Sequence, residues 1–195
     1  RYSPETNQWE NVTSMSVERS DQCVAVLNGN LFAIGGSGNA QYLVEKYSPA
    51  TNSWTYVPSL SDTSAWYAMR AAVMADRLYV AGGWRAKSLD SVLYYSDETE
   101  KWELKSPMMI GRRTHGLAFM SDTLYAVGGR TDNTVEINVL SVEAYRLRTK
   151  TWERVAPMHN RRGYLGVAVL DGKLYAVGGY DGSTLSSVER YPSDT

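Results

Sequence analysis

Two histidines, a single cysteine and a scatter of arginines and large aromatics are the side chains of this chain best suited to chemistry. A metal centre needs imidazole, thiolate or carboxylate groups at short, clustered spacings. Neither His115 nor His159 has such company, so each reads as a satisfied or solvated imidazole. Cys23 sits in the apolar run CVAVL, where a small buried hydrophobe fits. No phosphate-cradling glycine loop and no nucleophile elbow occurs. No catalytic residue, cofactor or metal is therefore expected. One cysteine cannot form an internal disulfide, which points to a reducing compartment, the cytoplasm. The sequon Asn11-Val12-Thr13 is a short pattern that arises by chance.

The residue types favour recognition instead. Tryptophan, tyrosine and arginine dominate binding hot spots. Four of the six tryptophans recur in phase along the chain, whereas Trp66 and Trp84 do not. With Arg85, Arg113, Arg130, Tyr164 and Tyr180 they form a candidate recognition set. Arg19, Arg112, Arg161 and Arg162 lie in the same stretches and would make a rim suited to an acidic or phosphorylated peptide. Glu18, Asp21, Asp62, Asp132 and Asp181 interrupt them, so a mixed-charge solvated rim fits equally well. A net charge of −1 without a basic block argues against a nucleic-acid partner. No apolar segment is long enough to span a membrane.

These residues must be held by a repeat. Diglycines at Gly35-Gly36, Gly82-Gly83, Gly128-Gly129 and Gly178-Gly179 recur 47, 46 and 50 residues apart, closing LFAIGG, LYVAGG, LYAVGG and LYAVGG. Before each lies a small apolar run (VAVL, AAVM, LAFM, VAVL), joined to it by a turn-forming triplet, which makes a hairpin. A third run ends at Tyr47, Tyr95, Tyr145 or Tyr191. A fourth starts near Trp54, Trp102 or Trp152, seven residues beyond its tyrosine, as Trp9 is beyond Tyr2. Four strands make one small sheet with two apolar faces, so the copies must stack, as β-propeller blades do. The recurring tyrosines and tryptophans are expected as wedges between sheets.

Small apolar strand, LYAVGG, SVERY and TWERVAPM together resemble the kelch repeat over the whole chain. The expected fold is an all-β, kelch-type β-propeller with four repeats of four antiparallel strands, about 16–60, 61–108, 109–158 and 159–195. Residues 1–15 supply a further fourth strand, and all 195 residues form a single domain. Either a closed four-blade ring or part of a six-blade ring fits the repeat count, and the family analogy favours the larger ring.

The third and fourth copies look most like the Kelch-like substrate adaptors of cullin ubiquitin ligases. In that family the propeller holds a protein or peptide, a degron among them, and BTB and BACK domains engage the ligase. These 195 residues contain no counterpart of those domains. The resemblance implies a non-enzymatic module that binds on one mouth, through loops after each diglycine and before each first strand. It places Ser37, Asn39, Tyr42, Trp66, Tyr67, Trp84, Arg85, Arg113, Thr114, Arg130, Asp132, Tyr164 and Tyr180 at that mouth. The family also contains actin-binding proteins, copper radical oxidases resembling galactose oxidase, and sialic acid mutarotases. Actin binding and mutarotase-like sugar chemistry stay as alternatives. The oxidase needs converging imidazole and tyrosine ligands that two histidines in different repeats do not supply. Two loops break the repeat and are expected on the binding face: residues 61–77, longer by about two, and 130–144, longer by about four.

Overall fold

The computed structural model describes residues 1–60, 67–74, 76–132 and 137–191. A short N-terminal hairpin pairs β1 (Tyr2–Ser3) with β2 (Gln8–Trp9). The first blade holds β3 (Cys23–Leu27), β4 (Asn30–Ile34), β5 (Val44–Ser48) and β6 (Ser53–Val57). The second holds β7 (Arg70–Met74), β8 (Arg77–Ala81), a small ribbon of β9 (Trp84–Arg85) and β10 (Lys87–Ser88), then β11 (Val92–Ser96) and β12 (Lys101–Lys105). The third holds β13 (Gly116–Met120), β14 (Thr123–Val127), β15 (Val142–Arg146) and β16 (Thr151–Val155). The fourth holds β17 (Gly166–Leu170), β18 (Lys173–Val177) and β19 (Val188–Tyr191). Every pairing within a blade is antiparallel and in chain order, so each blade is a meander, and the four form a β-propeller.

Turn chemistry closes the inner hairpins. Asn28-Gly29 and Asp171-Gly172 both take positive φ, the conformation that matches the twist of a tight hairpin. The diglycines have a different cause. Gly129 lies at φ +101°, and a Cβ there would come within 2.6 Å of His115 Cβ and 2.9 Å of the Arg113 carbonyl. Strand end and neighbouring loop therefore touch backbone to backbone, which only glycine allows.

The core lies between blades rather than inside one. Phe32, Ile34 and Val44 of the first blade pack on Met69, Leu78 and Tyr95 of the second. Tyr79 and Tyr94 then pack on Leu117 and Leu124, and Tyr125 and Val142 on Leu165 and Leu174. Of the repeat tyrosines, Tyr191 is half-buried and Tyr2 exposed, whereas Tyr47, Tyr95 and Tyr145 are buried wedges as expected. Each faces its tryptophan across the third and fourth strands, with ring centroids 5.2, 5.1 and 5.3 Å apart for Tyr47–Trp54, Tyr95–Trp102 and Tyr145–Trp152. These tryptophans are half-buried, and each indole N–H reaches the segment of chain that precedes its own blade. Trp54, Trp102 and Trp152 donate to the carbonyls of Thr13, Pro58 and Ser106 at 2.9, 2.7 and 2.9 Å.

Inner strand β3 packs on β7, β7 on β13 and β13 on β17, without a comparable contact from β17 back to β3. Val24 and Val26 on the first blade are exposed, as are Val169, Leu170, Val177 and Val188 on the fourth. Residues 1–15 do carry a fourth-strand segment, but β2 pairs with β1, and the fourth blade has three strands among the described residues. No helix among the described residues is long and apolar enough to cross a membrane.

Candidate functional site

One end of the propeller is built by a repeated backbone pattern. The residue after each diglycine pairs with the residue three positions before the inner strand of its own blade. Ser37 N–H donates to Ser20 O at 2.7 Å, and Trp84 pairs with Tyr67, Arg130 with Arg113 and Tyr180 with Gly163. The next residues, Asp21, Ala68, Thr114 and Tyr164, all take left-handed φ between 51° and 57°. That turn aims their amides around the axis. Ala68 N–H donates to Asp21 O at 3.2 Å, Thr114 N–H to Ala68 O at 3.0 Å and Tyr164 N–H to Thr114 O at 2.9 Å. A hydrogen-bonded collar thus rims the channel, and the side chains displayed around it differ from blade to blade.

Asp21, Tyr67, Trp84, Arg113, Thr114 and Tyr164 line one depression beside this collar. The Tyr67 and Trp84 rings stack at 5.2 Å, forming an aromatic shelf on the second blade. Arg113 is not free for an acidic partner. Its Nη1 donates to Asp132 Oδ1 at 2.6 Å and to Ser88 Oγ at 2.5 Å. Burial works against the Asp132 carboxylate, but the Ser88 N–H and Arg113 outweigh it and hold its pKa below the usual carboxylate range. Arg130 Nη1 donates to the Tyr164 hydroxyl at 3.0 Å, and its guanidinium lies 5.7 Å from that ring's centre. Tyr164 and Tyr180 are exposed, unlike Tyr47, Tyr95 and Tyr145.

Of the expected site residues, Tyr67, Trp84, Arg113, Thr114, Arg130, Asp132, Tyr164 and Tyr180 are thus gathered at one mouth. Ser37 joins them through Ser20, with the two hydroxyl oxygens 2.5 Å apart. Asn39 and Tyr42 stand apart. Asn39 lies in the 3-10 turn Gly38–Ala40, and Tyr42 follows that turn, where its carbonyl accepts from Leu60 N–H. Arg85 is exposed on β9. Trp66 lies outside the described residues, as do Asp62 and the cores of both irregular loops.

The basic rim needs correcting. Arg19, Arg112 and Arg162 have fully buried side chains, each pointing inward beneath the collar. Arg112 donates to Gly128 O at 2.7 Å and to Glu143 Oε1 at 2.5 Å, while Glu143 Oε2 accepts from Met109 N–H at 2.6 Å. Arg19 with Glu45 and Arg162 with Glu189 repeat the arrangement. Burial alone would raise the Glu189 pKa, but the His159 and Asn160 amides and the Arg162 guanidinium hold it at about 2. The sequence signal was present: an arginine at a fixed step before the inner strand and a glutamate in the third strand, in the same three blades. The second blade has Leu93 in place of the glutamate and Trp66 one residue before Tyr67, where the others have arginine.

His115 departs from both readings given to it. It is wholly buried, and neither ring nitrogen finds a partner among the described residues. Desolvation, then the charges of Arg112 and Arg70, hold its pKa well below the usual imidazole value. His159 is exposed and faces Glu189 at 2.9 Å. Cys23 is buried, and burial pushes its thiol up to about 12, so it is inert as a nucleophile at neutral pH. Among the described residues no three His, Cys, Asp or Glu side chains gather as a metal site. The residue that sequence reasoning missed is Arg70, which lines the channel just inside the collar.

Comparison with known proteins fits this geometry. The chain is 36% identical over 153 residues to Kelch-like protein 36 of Rattus norvegicus and 35% identical over 150 residues to Kelch-like protein 26 of Danio rerio. Those alignments cover 74% of this chain and 25% and 24% of the relatives. The chain therefore spans about a quarter of the length of these relatives. The solved structure described as "Structure of YjhT" superposes with a TM-score of 0.75 at 17% identity, covering 88% of this chain and 63% of that one. That likeness is one of fold. A family model described as Attractin/LZTR1 beta-propeller matches residues 1–189. With kelch landmarks in every blade and a family match over nearly its whole length, this chain belongs to the Attractin/LZTR1 β-propeller family and is a kelch-repeat propeller.

Proposed function

We propose that the collar mouth is a protein- or peptide-recognition surface, and that the chain serves as the substrate-binding propeller of a cullin-type ubiquitin-ligase adaptor, without catalysis of its own. The observation that carries the reading is a division of labour among large side chains. Tyr47, Tyr95 and Tyr145 at repeat positions are buried between blades, and three of the seven mouth-loop arginines are neutralised by buried or half-buried glutamates. The aromatics and arginines left at the mouth, Tyr67–Trp84 and Arg130–Tyr164, have no such structural partner among the described residues and flank one depression. Rigid aromatic area beside an arginine is the composition of a binding hot spot. The names of the relatives, Kelch-like proteins and a human "Kelch repeat and BTB domain-containing protein 13" matched at 31% identity, support the adaptor part of the reading.

Affinity capture from cell extract tests it, comparing wild type with a Trp84→Ala, Arg130→Ala double variant. The reading expects captured proteins, ubiquitin-ligase clients among them, to be lost with the double variant. Equal capture by both would remove the mouth from the account.

A further inference from the structure

Immediately inside the collar the four inner strands begin in equivalent register, at Cys23, Arg70, Gly116 and Gly166. Three of these residues are small and uncharged. The second blade alone places a cation there, and Arg70 lines the throat together with Asp21, Gln22, Ala68, Thr114 and Tyr164. Asp21, Ala68, Thr114 and Tyr164 also line the mouth depression, so throat and mouth are continuous. Four other arginines near the axis are matched by carboxylates: Arg19 by Glu45, Arg112 by Glu143, Arg113 by Asp132, Arg162 by Glu189. Arg70 is not. Its hydrogen bond goes to the Met69 carbonyl next to it, at 2.9 Å, and no carboxylate of the described residues, Asp21 included, forms an ion pair with it. The Thr114 hydroxyl in the same wall also has no partner among the described residues.

A half-buried guanidinium whose hydrogen bond goes only to the adjacent Met69 carbonyl among the described residues, at the foot of a funnel, has the chemistry to take a carboxylate in a fork-shaped, charge-assisted pair. We propose that Arg70 is the anchor for a carboxylate that a bound peptide lowers through the collar, borne by an aspartate or glutamate side chain or by a free C-terminus. The inference rests on the mouth reading and names the ligand feature that the throat selects. The aromatic shelf and Arg130 would hold the flanking peptide, while Arg70 sets the requirement for an acid at its tip.

The test begins with peptides selected from a random display library against the wild-type propeller, then synthesised. Arg70→Gln should weaken the winning peptides about tenfold to a hundredfold. Changing the peptide's Glu or Asp to the amide, or amidating its C-terminus, should cause the same loss in one case and not the other, which identifies the source of the carboxylate. Combining the protein and peptide changes should cost no more than either alone. If Arg70→Gln does not fold, the peptide-side changes on wild type carry the test. Winning peptides that need no carboxylate, or that bind Arg70→Gln as well as wild type, overturn this inference and leave the mouth reading standing. Failure to select any peptide overturns both.

Discussion

His115 shows how much a single side chain can be at odds with its surroundings. Its neighbours in the repeat are Gln22, Met69 and Leu165, and the structure buries it where methionine or leucine would be at ease. An imidazole held neutral in the folded chain but free to protonate when unfolded makes the unfolded state bind the extra proton. Stability is then unaffected above the unfolded pKa of 6.5 and falls as pH drops below it. At pH 5 the loss should reach about 2 kcal/mol relative to pH 7.5. His115→Leu should abolish this difference in urea-denaturation midpoints, and equal pH dependence of the two proteins would contradict the burial of a neutral imidazole. Glu189, held at about 2, acts in a separate window, its contribution being lost only as pH falls below the usual carboxylate range. The sequence could not announce this, because burial of one histidine depends on how closely the diglycine backbone approaches it.

At the scale of elements, strand order and register were legible because each blade repeats the same turn chemistry and the same spaced aromatics. The loops before the inner strands were located correctly, yet their arginines were not. A run such as Arg112-Arg113-Thr114 puts consecutive side chains on different sides of the backbone, so Arg112 turns into the blade, Arg113 faces Asp132, and charge counting cannot separate them. The buried pair makes a sharp prediction. Removing one partner, Glu143→Leu, leaves a buried guanidinium and the Met109 amide unmatched and should cost about 3–5 kcal/mol in chemical denaturation. Glu153→Ala breaks the partly exposed pair with Arg146 and should cost under about 1 kcal/mol. Comparable losses would mean that the Arg112–Glu143 strut does not hold the collar loop.

For the whole molecule, the repeat predicted the stacking of blades, and the three inter-blade cores bear this out. Val24 and Val26 at one end of the stack and Val169, Leu170 and Val188 at the other lie on apolar faces that water covers in this chain. In sedimentation at rising concentration the 195-residue chain should associate and take up apolar dye, and Val26→Lys with Leu170→Lys should suppress both. A monomer at every concentration, without dye binding, would contradict the exposure of those faces. What the repeat could not provide is the partner, since repetition fixes what the blades share and recognition uses what they do not. The most direct check of the central claim is therefore the dissociation constant of a display-selected peptide for three proteins: wild type, Trp84→Ala with Arg130→Ala at the mouth, and Tyr56→Ala with Leu104→Ala on exposed outer strands. A loss of at least about tenfold confined to the mouth variant is the predicted result. Unchanged binding by the mouth variant, or loss in the outer-strand variant alone, would place recognition elsewhere on the propeller.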